Sequence, residues 1–266
     1  MIDQTFLHLS GVGPVTQERI HDRGISDWSV ALAKPELLPF GPKRLGQLLG
    51  ELKKCIKALE NDELGWLIGQ IPPREQWRIL GHYFEQASYF DIETSGLSYD
   101  DYITVIICLH RGRLHRFVQG ENLDEFLELL DDITLLVSFN GNSFDVPQLL
   151  KTWHIPVLPC PHLDLRWLCY HCDWRGGLKQ VEKTLGITRP ADLAGVDGAE
   201  AVWLWRHWHH YRKHDALEKL VRYCAVDVLV LQAVAAILLY HKGISRFENF
   251  SVIQWDALEH ISLAEV

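Results

Sequence analysis

Apolar residues recur first at helical spacing, switch to strand-like runs near residue 87, and return to helical spacing after about residue 163. The clearest early helix carries Leu45, Leu48, Leu49, Leu52 and Ile56 on one face. It follows Gly41-Pro42, which echoes Gly13-Pro14 at a distance of 28 residues. The stretch Leu9 to Ile20 predicts the end of one helix, a tight turn through Gly11-Val12-Gly13, and a new helix opening on Pro14. Glycine supplies the backbone freedom of such a turn, and proline suits the first helical turn. Residues 63–85, interrupted by Ile71-Pro72-Pro73, are expected to form a connector.

From Ala87 the pattern predicts strands over 87–92, 102–109 and 113–118, with Arg111-Gly112 at one hairpin turn. An amphipathic helix follows over 122–130, with Leu123, Phe126, Leu127 and Leu130 on one face. A fully apolar strand is expected over 134–139, a helix over 146–153 and a fifth strand over 157–163. Beyond it the chain reads as helical, broken at Gly176-Gly177 and Gly186. The longest apolar run, Val226 to Tyr240, is shorter than the roughly 20 residues a bilayer needs and is expected to be a buried helix.

At 266 residues the chain has room for one catalytic domain and a small accessory module. The first residues lack a basic stretch followed by an apolar core, and the six cysteines then suggest reduced thiols in a cytoplasmic protein. Cys160, His162, Cys169, His171 and Cys172 crowd together in sequence, but their spacing departs from ordinary zinc sites. The net charge of −9 argues against a long basic track for nucleic acid. It is uneven: residues 1–60 hold eight Lys or Arg against seven Asp or Glu, a balance of +1, which leaves −10 for the rest. Carboxylates neutralised by metal ions would account for part of that excess.

Four acids stand in settings that suggest such a site. Asp91 and Glu93, two apart at the end of a strand, project to the same side. Asp145 follows an apolar strand through Asn140-Gly141-Asn142-Ser143-Phe144 and opens a helix. Tyr223 and Asp227 share a helix face among Val226, Val228, Leu229 and Leu231, where an unpaired carboxylate would be costly. Asp164 either supports the site or caps the helix that starts at Leu165. Lys179 is either a phosphate contact or a solvated helix residue. Trp203, Trp205 and Trp208 either stack bases or fill a core. His207, His209, His210 and His214 read as a solvated face.

Asp-x-Glu at a strand end, Asn-x3-Phe-Asp after a later strand and Tyr-x3-Asp on a late helix are, in this order, the motifs of the DEDD exonuclease superfamily, and the tyrosine marks its DEDDy branch. The stretch from about 86 to 240 resembles that superfamily and, within it, the YprB-type RNase H-like exonuclease domain. The latter likeness rests on His162-Leu163-Asp164-Leu165, Gly177 to Glu182, Leu185-Gly186-Ile187 and the segment from Arg189 to Trp205. The N-terminal Gly-Val-Gly-Pro turn is similar to helix-hairpin-helix DNA-binding elements, in which Gly11 and Gly13 would present amides to phosphate; a plain αα-hairpin fits the same residues.

The resemblance implies an α/β chain: an RNase H-like mixed sheet flanked by helices, preceded by a small all-helical module. The expected division is 1–62 for the hairpin-like module, 63–85 for the connector, 86–242 for the exonuclease domain and 243–266 for an extension packed on it. It further implies two divalent cations, Mg²⁺ or Mn²⁺, held by Asp91, Glu93, Asp145 and Asp227. Asp91 would bridge them, Tyr223 would orient the attacking water, and Asn140 and Lys179 would contact substrate. The expected activity is 3′→5′ hydrolysis of DNA, with nucleic acid and not a membrane as partner. RNA-directed or endonucleolytic cleavage, and a non-catalytic nucleic-acid binder, are the alternatives.

Overall fold

Eight residues of β1 (Ala87–Thr94) form the middle of a five-stranded sheet and position everything that follows; this computed structural model describes residues 1–96, 98, 100–193, 195–248, 253 and 255–261. The chain divides into two units, Met1–Phe84 and the remainder from Glu85.

In the first unit the helices are α1 (Pro14–Asp22), α2 (Trp28–Ala33), α3 (Pro42–Glu60), α4 (Leu64–Gln70) and α5 (Trp77–Tyr83). Pro14 and Pro42 each open a helix behind a glycine N-cap, as their positions predict. No helix ends at the Gly11 turn, however: only a 3-10 turn, Ile2–Gln4, comes before it. The six residues between that turn and Gly11 carry Phe6, wholly buried, and Thr5, whose carbonyl accepts from the indole of Trp28 at 2.6 Å. Tertiary burial therefore holds this stretch where helical hydrogen bonds were expected. Gly11 is left-handed (φ 66°), and the guanidinium of Arg44, bonded to the Ser10 carbonyl, fills the space a side chain would need. The expected connector over 63–85 is instead helical, because Leu64, Leu67, Ile71, Ile79 and Leu80 are buried as α4 and α5 pack within this unit. The prolines at 72 and 73 only separate the two helices.

The second unit is an α/β layer structure. β1 pairs antiparallel with β2 (Ile103–His110), which pairs antiparallel with β3 (Arg113–Val118). After α6 (Glu125–Leu130), β4 (Leu135–Ser138) lies parallel to β1. After α7 (Asp145–Trp153), the short β5 (His162–Asp164) lies parallel to β4. The sheet order is β3-β2-β1-β4-β5. Helices α8 (Leu165–Tyr170), α9 (Leu178–Leu185), α10 (Gly198–Tyr211) and α11 (His214–His241) follow. β5 is much shorter than the expected 157–163, since Pro159 and Pro161 lack the N–H groups a ladder uses.

Phe90, Ile92, Ile106, Cys108, Phe126, Leu136 and Leu149 form the core between one sheet face and α6–α7. The other face is covered by α11. That helix reaches 28 residues, longer than the apolar run suggested, and its most apolar window has a mean hydropathy of 2.0. Length and composition would let it cross a bilayer, but 83% of that window is buried inside the fold. In the expected C-terminal extension, short 3-10 segments Ser245–Phe247 and Trp255–Ile261 pack on α11, the second also on β3; residues 249–252, 254 and 262–266 lie outside the described residues.

Candidate active site

Alternation along β1 decides where its acids go. Phe90 and Ile92 face the α6–α7 core, so Asp91 and Glu93 face α11. The pairing with β2 is irregular between Glu93 and Thr94, the kind of local bulge that re-aims side chains beside sites. Helix α11 answers with Tyr223, Cys224 and Asp227, which helical spacing places on one side. The Cys224 thiol donates to the Asp91 carbonyl at 3.4 Å and to its Oδ2 at 3.5 Å. That sulfur and oxygens of Asp91 and Glu93 lie within 4.8 Å of one another. Asp145, buried, is the first residue of α7, across from β1.

The acids repel one another. Burial raises Asp91 and Glu93 well above the usual carboxylate range, and Asp227 and Asp145 raise each of them further. Burial also pushes Asp145 up to about 7. For Asp227 the burial effect is opposed by Arg189. The Cys224 thiol is driven upward by burial and by the neighbouring carboxylates, so it remains a protonated donor.

Arg189 joins two buried acids. Its Nε donates to Glu182 Oε2 at 2.7 Å and its Nη2 to Glu182 Oε1 at 2.5 Å; the same Nη2 donates to Asp227 Oδ1. The arginine side chain is only 10% exposed. Its guanidinium also lies 5.6 Å from the centroid of the Tyr223 ring, with Lys179 Nζ at 5.1 Å from the same ring. Lys179 is an exposed residue of α9, and its ammonium donates to the Val196 carbonyl.

A pocket of about 520 Å³ opens over these groups, lined by Asp91, Asn140, Arg166, Lys179, Tyr223 and Asp227 among others. The loop that delivers Asn140 is tightly built. Asn140 is left-handed (φ 67°), and a Cβ on Gly141 would meet Ser138 Oγ at 1.8 Å. Asp164 bonds both to its own helix and to this loop. It caps α8 through the Arg166 amide at 3.0 Å, and it accepts from the Asn140 amide at 2.8 Å and the Asn142 amide at 3.2 Å. The Asn140 side chain in turn accepts from Arg166.

The fold therefore gathers Asp91, Glu93, Asp145, Tyr223, Asp227, Asn140 and Lys179, while Gly11 and Gly13 belong to the first unit. Arg189, Glu182, Cys224 and Arg166 were not singled out by sequence reasoning for these roles. Only Cys224 carried a local signal, three residues before Asp227 on the same helix. The cysteine–histidine group does not converge: Cys160 packs in the core, and His162 bonds Ser138 Oγ at 2.9 Å and Asn142 at 3.1 Å. Among the described residues, the only grouping of three such ligand types is Asp91, Glu93 and Cys224. Trp205 and Trp208 are buried, whereas Trp203 is 52% exposed.

The raised carboxylates have a consequence for stability. Between about pH 4 and 7 the folded chain keeps protons that the unfolded chain has released, so metal-free stability falls as pH rises through that window. In a chelator, the melting temperature is expected to drop by several degrees from about pH 5 to 8, and saturating Mn²⁺ to flatten the profile. A melting temperature that climbs with pH in the chelator would contradict this electrostatic picture.

The sequence model of the RNase_H superfamily matches residues 88–239, the span that contains the whole pocket. The uncharacterized protein YprB of Bacillus subtilis (strain 168) is 33% identical over 174 residues, which cover 54% of this chain and 39% of that protein. The chain thus spans well under half the length of that relative. A family B DNA polymerase from the archaeon Pyrobaculum calidifontis superimposes with a TM-score of 0.43 at 19% identity, over 67% of this chain and 27% of the polymerase. With more than half of its residues matched by the superfamily model, and the sheet order and helical flanks described above, the chain belongs to the RNase H superfamily.

Proposed function

We propose that this chain is a metal-dependent 3′→5′ exonuclease of the DEDDy type that hydrolyses phosphodiester bonds of DNA, its catalytic domain spanning residues 86–242. The observation that carries the reading is convergence from three elements: Asp91 and Glu93 from β1, Asp145 from the head of α7, and Tyr223 with Asp227 from α11. Four mutually repelling carboxylates are compensated within the chain mainly by Arg189 on Asp227, so the set fits divalent cations. Oxygen donors suit Mg²⁺ or Mn²⁺, and Asp91, Glu93, Asp145 and Asp227 would hold two such ions. When bound, the ions lower the pKa of water and offset charge on the phosphate.

The remaining work falls to the chain's own groups. The Tyr223 phenol is raised far above its ordinary value, first by burial and then by Asp227, so its hydroxyl donates a hydrogen bond to the attacking water and removes no proton. Lys179 and Arg166 supply positive charge to the pocket that receives the phosphate, and Asn140 lines the same wall. Tyr223→Phe is expected to retain the fold and bind Mn²⁺ while turnover falls by about 10-fold or more, as for the loss of one positioned group. Unchanged turnover would make the ring a packing element only.

Preference for DNA rests on the first unit, in which we assign residues 1–62 to a helix-hairpin-helix-like module. Its support is the pair of Gly-Pro helix starts. Part of the Gly11 turn is already occupied, since the Ser10 amide donates to Glu51 at 3.0 Å and the Val12 amide to Leu9. A Cβ on Gly13 would meet open space, and its φ of −101° suits any residue, so Gly13→Glu adds charge without strain. It is expected to weaken DNA binding several-fold and to flatten its salt dependence. Equal affinity would remove the basis for choosing DNA. The activity itself is tested with DNA and RNA strands labelled at either end, with Mn²⁺ or chelator. A ladder receding from the 3′ end in Mn²⁺ supports the reading; internal cuts, or digestion in chelator, overturn it.

A further inference from the structure

Helix α10 begins at the active-site pocket: Asp197, its N-cap, and Gly198, its first residue, both line the cavity. Five residues further, about 7.5 Å along the axis, a row of rings starts whose two ends are exposed. Trp203, His207 and Tyr211 repeat at i, i+4 and i+8, so they share one side of the helix. The Trp203 and His207 ring centroids are 3.6 Å apart, and those of His207 and Tyr211 5.6 Å. Trp203 is 52% and Tyr211 68% exposed, in contrast to Trp205 and Trp208, which face the interior.

Charge over the end of this helix and the turn that follows it is as uneven as the helix's aromaticity. Residues 206–214 read Arg-His-Trp-His-His-Tyr-Arg-Lys-His, with no acid in a chain whose net charge is −9. Arg206, Arg212 and Lys213 are exposed. The one acid close to Trp203 on its own helix side, Glu200, is held by Lys219 at 2.6 Å. Flat rings interleaved with cations suit unpaired bases joined by phosphates, because every base has a face to stack and every linkage carries a charge.

We propose that the Trp203–His207–Tyr211 face of α10 is a stacking platform for unpaired bases of the nucleic-acid strand whose end enters the acidic pocket. This rests on the nuclease reading of that pocket and specifies the substrate: single-stranded for several nucleotides beside the cleavage point. Continuity with the pocket and the local positive charge select a nucleic acid as the occupant. Base stacking tolerates any sequence, so the platform confers affinity without sequence preference.

The test measures binding by the full-length chain in chelator, so that no turnover is required. The probes are a labelled single strand of about 12 nucleotides, the same length of duplex, and a 12-residue abasic strand that keeps the phosphates but lacks bases. Both rings are exposed, so the double variant Trp203→Ala/Tyr211→Ala is expected to fold. It should bind the single strand about tenfold or more weakly than wild type, within the range for losing stacked bases. Wild type and variant should bind the abasic strand and the duplex alike, and Trp203→Phe should recover most of the single-strand affinity. Tyr240→Ala, an exposed ring at the far end of α11, serves as the control and should leave affinity unchanged.

Equal single-strand binding by wild type and the double variant overturns the platform and leaves the face to a protein partner. A loss of the same size on the abasic strand also overturns it, since contacts would then be with phosphate alone. So does a wild type that binds no single strand. DNA and RNA probes run in parallel assign the sugar. If the binding differences appear but Mn²⁺ supports no hydrolysis, the nuclease reading fails while the platform stands.

Discussion

Asp91→Asn is expected to abolish hydrolysis, with turnover in Mn²⁺ or Mg²⁺ reduced by about 10³-fold or more, the scale on which metal-assisted charge stabilisation operates. Asp91 is the residue on which the other acids converge, repelled by Asp227, Asp145 and Glu93 together. Asparagine keeps the shape and can still accept from the Cys224 thiol, so the fold should persist. Removing one of four crowded negative charges should raise the melting temperature in chelator, while the stabilisation normally gained from Mn²⁺ shrinks. The pair of readouts separates a lost ligand from a damaged fold. An Asp91→Asn protein that digests nucleic acid at the wild-type rate would overturn the assignment of the site.

Arg189→Met should have the largest effect on stability. The guanidinium bonds two carboxylates, Glu182 and Asp227, whose side chains are 6% and 10% exposed. Methionine leaves both without their cation, and removing one member of a buried ion pair costs about 3–5 kcal/mol. For a domain of this size that corresponds to a fall in melting temperature of roughly 6–20 °C in chelator. A divalent cation can take over the neutralisation of Asp227 but not that of Glu182, so Mn²⁺ should restore only part of the loss. Glu182→Leu combined with Arg189→Met should recover more, because it removes the second stranded charge. A loss of 1–2 °C for Arg189→Met, about the effect of an exposed pair, would show that the network contributes little.

Much of the site was legible because it depends on local periodicity. Two-residue alternation puts Asp91 and Glu93 on one side of a strand, and the four-residue repeat puts Tyr223 and Asp227 on one side of a helix. The hairpin strands, the apolar β4 and the glycine boundaries of α9 were readable for the same reason. Short-range rules also gave partial answers where two local effects compete. Pro159 and Pro161 shortened β5 despite its apolar character, and buried leucines and isoleucines made helices of the expected connector despite Pro72 and Pro73.

The remaining features depend on which distant segments meet. Arg189 sits outside regular structure, 38 residues from Asp227, and nothing in its neighbourhood names its partners. Asp164 reaches back 24 residues to the Asn140 amide, which turns a helix cap into the brace of a pocket loop. Three tryptophans of α10 look equivalent in sequence, yet only packing against the rest of the unit buries Trp205 and Trp208 and leaves Trp203 exposed. The sequence by itself determined most of the elements and which of their residues share a face, because backbone geometry repeats over two or about four residues. Only the tertiary structure decided how the acids are neutralised and which rings remain outside, because charge pairing and burial act through space between segments whose separation along the chain carries no periodic signal.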